Sequence, residues 1–270
     1  MPSGAWFFVL LVVPLLILLV FSFGERAPQG GYAPAFTLEN YARLPTRSTA
    51  FINTFALASA GTVLCLLTAY PLAYYLATRA GAKRTLLLIF IVLPFWTSFL
   101  IRTYAWLTIL GATGIPAILD SVGFGEVVLL NTPVAVLIGI VYNYLPLMVF
   151  PLFVTLERLD KRLIEASKDL GAGRLATFRQ VTLPLTAAGA LSGVLLVFIP
   201  IMGEYLIPAL LGGGKVFLVG NALVDMFLQS RNWPFGSSAA IGLIVLVLSA
   251  VAVYLWVGTR GRAERQVSLL

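Results

Sequence analysis

Two charges stand inside otherwise apolar runs of this 270-residue chain: Arg102 within Leu86–Leu110 and Glu204 within Leu185–Leu211. A charged side chain in hydrocarbon costs roughly 2.5–3.5 kcal/mol on insertion scales, so such residues face a protein interior or a watery path. Trp96, Tyr104 and Tyr205 lie at a similar depth along these runs. A carboxylate and aromatic faces together stabilise an ammonium group, each face contributing about 0.5–2 kcal/mol. Glu204 with these three aromatics is therefore one candidate cation path, and Asp225, in a later polar segment, is a further acid that would help admit a cation. A structural Arg102–Glu204 ion pair, with the aromatics as interfacial anchors and Asp225 as a solvated loop carboxylate, explains the same residues, and both readings stand.

Catalysis is poorly provided for. The chain has no histidine, which removes the commonest general base and metal ligand. Its single cysteine, Cys65, lies in an apolar run, so no disulfide within the chain and no cysteine metal cluster is possible. The Gly214-Lys215 pair is followed by Val216 and lacks the Ser or Thr of a phosphate-binding loop. We expect no catalytic residue, no metal and no cofactor in this chain.

The elements that hold these residues are set by composition. Hydrophobic residues make up 60% of the chain and charged ones 11%, against about 25% charged in a soluble domain. A helix crossing a membrane needs about 20 mostly apolar residues. Six segments qualify, approximately Trp6–Phe23, Phe51–Thr78, Leu86–Leu110, Pro133–Leu156, Leu185–Leu211 and Ser238–Val257. No Lys or Arg precedes the first and no small-x-small cleavage site follows it, so it reads as a retained span rather than a signal. The expected fold is an all-α integral membrane protein of six helices, with a first span and outer loop at 1–50, a core at 51–258 and a tail at 259–270.

The net charge of +7 does not read as nucleic-acid binding, because the 18 basic residues are scattered between apolar runs with no continuous basic face. They do report orientation. One set of alternate loops holds Arg79, Lys83, Arg84, Arg158, Lys161, Arg162, Lys168, Arg174, Arg179, Arg260, Arg262 and Arg265, against Arg26, Arg43, Arg47, Lys215 and Arg231 in the other. Basic residues near span ends stay cytoplasmic, so both termini are expected on the cytoplasmic side of a multi-pass inner-membrane protein.

The segment 157–184 between the fourth and fifth spans is longer and more patterned than a connector needs. Leu156, Leu159, Leu163, Ile164 and Leu170 recur near helical spacing among charges, which predicts an amphipathic helix up to Gly171. A second short helix from Arg174 to Val181 would carry Leu175, Phe178 and Val181 on one side, with Pro184 in the first turn of the next span. Such a hairpin suits either a groove on a partner protein or a surface of anionic lipid heads.

The segment resembles the signature of bacterial ABC importer permeases: Glu-Ala-Ala, three residues, Gly, nine residues, Ile-x-Leu-Pro. Here it is Glu165-Ala166-Ser167, then Gly171, then Val181-Thr182-Leu183-Pro184, with the spacing kept and Ser167 and Val181 as departures. The resemblance extends from about Phe51 to the sixth span through Leu93–Ser98, Arg102–Trp106, Tyr142–Pro146 and Phe198–Gly213, and is most similar to the spermidine/putrescine subfamily. It implies a type I importer transmembrane domain whose cytoplasmic coupling helices dock an ATPase through Glu165, Ala166, Ser167, Asp169, Gly171, Leu183 and Pro184. It also implies that ATP and Mg belong to ABC ATPase partners, with a second permease subunit completing a heterodimer and a periplasmic solute-binding protein delivering cargo. Membrane lipid is a further contact. Related importers of ferric iron, sulfate or opine-like ions share the architecture, and a secondary transporter is the alternative from another class.

Overall fold

A computed structural model describes residues 2–267, with side chains described for Gly4, Trp6 and 8–256. The side chains of the tail at 259–270, with Arg260, Arg262 and Arg265, lie outside the described residues. The helices are α1 Pro2–Ser22, α2 Glu39–Ala42, α3 Ser48–Thr78, α4 Arg84–Val92, α5 Phe99–Leu110, α6 Ile115–Ser121 and α7 Pro133–Glu157. They continue as α8 Lys161–Asp169, α9 Arg174–Thr177, α10 Leu183–Met202, α11 Leu206–Leu211, α12 Val219–Val224 and α13 Trp233–Val267. A two-stranded antiparallel ribbon, β1 Glu25–Arg26 with β2 Tyr32–Ala33, follows α1.

Among the described residues four helices are long and apolar enough to cross a membrane: Leu44–Thr78, Pro133–Glu157, Arg174–Met202 and Trp233–Trp256. The third expected span is not one helix. It is a pair of arms, Gly81–Trp96 and Phe99–Ser121, bent by 95°. Pro94 cannot donate to the Phe90 carbonyl, the chain tightens to a 3-10 turn at Leu93–Trp96, and Thr97 and Ser98 are extended. Counted as one span, the pair makes five, and α1, with 21 residues, reaches roughly 30 Å. The architecture is an all-α membrane fold whose third apolar run is a sharply bent pair of helices.

The fifth span also differs from expectation. Its helix ends at Met202, and Leu206–Leu211 forms the separate α11. Pro208 has no N–H for the Glu204 carbonyl, and the chain leaves the helix at Gly203 and restarts at Leu206. At its other end the helix begins earlier than expected, at Arg174, because the second half of the hairpin is continuous with it through a π turn at Phe178–Thr182. Pro184 would leave the Gln180 carbonyl without its i+4 donor, and the wider turn absorbs that defect without stopping the helix.

The chain packs as two compact units. One comprises Leu57–Ile201 with Leu210–Lys215. Its core is built from Cys65, Ala69 and Leu76 of α3, Ile140, Met148 and Leu152 of α7, and Val197 of α10, all buried. Helices α7 and α10 approach closely where Gly189 and Gly193 face α7. A Cβ at Gly189 would sit 2.6 Å from the Pro151 carbonyl oxygen, a backbone atom that cannot easily give way, so a residue without one is needed there. The Gly-x-x-x-Gly pair thus serves packing within the chain. At the end of α7, Glu157 pairs with Arg84 at 2.6 Å.

The other unit comprises Met1–Ala56, Met202–Ala209 and Val216–Leu270. Here α1 runs along α13, and Phe21 stacks on Tyr32 with ring centroids 4.3 Å apart. Asn40 donates to the Ser22 and Gly24 carbonyls at 3.1 and 2.8 Å, tying α2 to the end of α1. Ala222, Met226, Phe235 and Ala239 form a small core against which Leu44 and Leu223 pack.

Candidate functional site

The hairpin at 161–177 is built from the inside by its own caps. The expected amphipathic helix begins at Lys161 rather than near Leu156, because Leu156 closes α7 and Asp160 restarts the chain. The Asp160 carboxylate accepts from the Arg162 N–H at 3.0 Å, satisfying one of the open donors of the first turn of α8. At the other end Gly171 has φ +84°, the left-handed conformation that glycine adopts without cost. Its N–H donates to the Lys168 carbonyl at 2.8 Å, and the Ala172 N–H to Ser167 at 3.1 Å. These are the two bonds of a Schellman stop, and Gly171 is the residue it turns on.

Ser167 and Thr177 then join the two arms, hydroxyl to hydroxyl at 3.1 Å. Ser167 is one of the two departures from the family pattern, and a partner for it could not be seen in the sequence. With Ile164 and Ser167 half-buried, Glu165, Ala166 and Asp169 face outward and are exposed. The large apolar residues here do not all turn inward: Leu170 is 89% and Leu175 69% exposed. Leu183 is exposed and Pro184 half-buried at the start of α10. The hairpin therefore brings Glu165, Ala166, Ser167, Asp169 and Gly171 onto one projection, with Leu183 and Pro184 along the helix that follows.

The second set of candidates is divided between the two units. Trp96, 87% exposed, sits in the turn where the third span breaks, and Tyr104 lies half-exposed in α5. Arg102, also in α5, is 8% exposed, and its guanidinium lies over the rings of Phe95 and Phe99 at 5.2 and 5.7 Å. Its Nε has no hydrogen-bond partner. Cation–π contact with two rings is thus part of what holds this charge.

In the other unit, Glu204 lies past the end of α10 rather than inside a continuous helix, which corrects the expectation. The residue is 7% exposed, and its Oε1 accepts from the N–H groups of Tyr205, Leu206 and Ile207 at 3.1, 2.8 and 3.3 Å. Pro208, next in line, has no N–H, and Ala209 bonds the Tyr205 carbonyl at 3.0 Å. Every donor at the start of α11 is therefore accounted for by one carboxylate oxygen and one proline. The Asn221 amide donates to the Tyr205 carbonyl at 2.9 Å, and Tyr205 keeps its ring half-exposed. Asp225 is half-buried and opens a π turn after α12.

Sequence reasoning passed over Asp120 and Glu126, which line a cavity of about 430 Å³ with Pro116 and Asn131. It also passed over Arg84, whose pairing with Glu157 needs two spans brought side by side. The usable signal for Glu204 was local, an acid followed four residues later by proline.

A helix-rich membrane fold with an internally capped hairpin leading into the helix Arg174–Met202 is the architecture of a permease subunit. Residues 69–260 match the family described as binding-protein-dependent transport system inner membrane component, and the chain belongs to that family. It is 43% identical over 255 residues to the spermidine/putrescine transport system permease protein PotB of Haemophilus influenzae, covering 93% of this chain and 89% of the relative. To PotB of Escherichia coli it is 38% identical over 260 residues, 94% of each. Among solved structures it resembles a chain of a bacterial ABC transporter involved in alginate import, with TM-score 0.75 and 18% identity over 96% of this chain and 93% of that one. The fold is that of a type I ABC importer transmembrane domain, and the chain is a transport subunit of the inner membrane.

Proposed function

We propose that this chain is the permease subunit of an ATP-driven importer of polyamines such as spermidine and putrescine, and that the hairpin from Glu165 to Pro184 is where a cytoplasmic ATPase grips it. The single observation that carries the docking role is the exposure of Leu170 and Leu175 on a hairpin whose backbone is already satisfied by Asp160 and Gly171. An exposed apolar pair on a self-supporting scaffold is the surface a partner groove buries. Glu165 and Asp169 flank it with charge, and both termini lie on the same, cytoplasmic side. The ATPase copies hydrolyse ATP with Mg, while a second permease chain completes the path and a periplasmic binding protein delivers cargo. The ATPase drives the change of opening to the extent that it binds the hairpin differently in the two states.

The polyamine assignment is supported by the names of the relatives and by exposed ring faces. Trp96, Tyr104 and Tyr205 each offer a face to an ammonium group. Glu204 and Asp225 add negative charge to the unit that carries Tyr205, Glu204 while also fixing the start of α11.

Gly171→Asp tests the docking role. It should abolish co-purification with the ATPase and uptake, while the chain still inserts; retained binding and transport would refute it. For the cargo, the reconstituted complex is offered labelled spermidine, putrescine and ferric iron in parallel. Saturable uptake of the amines alone is expected, and uptake of iron alone removes the polyamine reading.

A further inference from the structure

Between the hairpin and the end of α3 lies a cavity of about 270 Å³ whose lining includes Tyr74 of α3 and Arg79 just after it, Lys168 of α8, and Arg174 and Thr177 of α9. Three cations converge on it and no carboxylate lines it. Among the described residues none of the three has a carboxylate within 4.0 Å, the ion pairs being Arg43–Glu39 and Arg84–Glu157. The cavity also meets the start of the 29-residue helix Arg174–Met202, where Gly173 supplies no side-chain cap. The positive end of that helix adds to the potential of the cavity. Three basic side chains gathered at such an end are a site for a multiply charged oxyanion.

Its position says which one. One wall is the end of an apolar span and another is the beginning of a second, so the cavity sits at a boundary of the apolar bands, the level of lipid headgroups. Tyr75, the chain neighbour of Tyr74, is exposed and offers a ring along which an acyl chain can lie. The outward face of α8 carries carboxylates and is the face proposed above for the ATPase, whereas the cavity face carries none. We infer that this cavity binds the phosphate of an anionic phospholipid, which neutralises Arg79, Lys168 and Arg174 and fastens the hairpin to the end of α3. The inference does not depend on what docks at the outer face or on what is transported.

Native mass spectrometry of the full-length chain, titrated with phosphatidylglycerol or phosphatidylcholine, reads this directly. Phosphatidylglycerol is expected to be retained in preference to phosphatidylcholine. Arg79→Gln and Lys168→Gln should each weaken its retention about five-fold, the change made by about 1 kcal/mol per basic residue near an anionic headgroup. Arg162→Gln, the same charge change on exposed α8 surface outside the cavity, should leave retention unaltered, and circular dichroism should be the same for all three variants. Equal retention of the two lipids overturns the inference, as does Arg162→Gln weakening retention as much as Lys168→Gln. Displacement of phosphatidylglycerol by inorganic phosphate would make the cavity a site for a soluble anion instead. Loss of ATPase co-purification with lipid retention unchanged would make it a protein-docking surface.

Discussion

The hairpin and the turn at Glu204 are both built around capped helix ends, yet they use their charges in opposite ways. In the hairpin, Asp160 and the Gly171 turn satisfy the backbone, which leaves Glu165, Asp169, Leu170 and Leu175 exposed and uncommitted to the fold. At the turn after α10, one buried carboxylate oxygen accepts three N–H groups, so the charge that looks functional is first a structural acceptor. A charge placed where water is scarce is drawn to the nearest backbone donors, because leaving those donors open would itself cost about 1–3 kcal/mol. A charge on an exposed helix faces no such demand. The difference teaches that burial, rather than charge alone, decides whether an acidic residue is available to a partner.

The contrast can be broken at four positions. Glu204→Ala strips three N–H groups, one of them buried, of their acceptor and should lower stability by about 2–3 kcal/mol, read as a fall in the thermal unfolding midpoint of the purified chain. Glu204→Gln keeps an acceptor and should cost less. If it nevertheless reduces polyamine uptake at unchanged abundance, Glu204 serves the cation path as well as the fold. Gly171→Ala places a side chain at φ +84°, a penalty of roughly 1–2 kcal/mol. Its effect should be confined to faster amide exchange at 168–172, and equal loosening at 205–209 would erase the distinction between the two regions. Asp160→Ala removes one cap bond and should cost about 1 kcal/mol, visible as fraying of the first turn of α8. Ser167→Ala restores the family residue and loses only the bond to Thr177. A change under about 1 kcal/mol, with ATPase binding retained, is expected, and loss of binding would mean that the tie between the two arms shapes the docking surface.

Much of this organisation was legible. The spans announce themselves by apolar length, and the hairpin by the spacing from Glu165 through Gly171 to Pro184, because a turn on glycine and a stop at proline are local backbone events. The break at Thr97 was hidden for the opposite reason: hydropathy runs unbroken from Leu86 to Leu110, while the bend comes from a missing donor at Pro94. The end of the fifth span at Met202 was obscured in the same manner by the apolar run on to Leu211. The residues Arg79 and Arg174 lie 95 positions apart and meet at one cavity, a juxtaposition no window along the chain contains. Arg102 was visible as an anomaly, but its stacking on Phe95 and Phe99 follows from the kink and could not precede it.

The π turn at Phe178–Thr182 has a mechanical consequence. Without it, the proline after the hairpin would be a hinge, and a push on the first arm would be absorbed there. With it, Arg174–Met202 is one rod of 29 residues, about 43 Å long, that leads from the exposed tip into the bilayer. The break at Arg158–Asp160 leaves the preceding helix no such linkage. A load applied to the tip would therefore enter the fifth crossing along its own backbone and reach the fourth only sideways, through the close packing at Gly189 and Gly193, as a crank turns one shaft and drags its neighbour by friction.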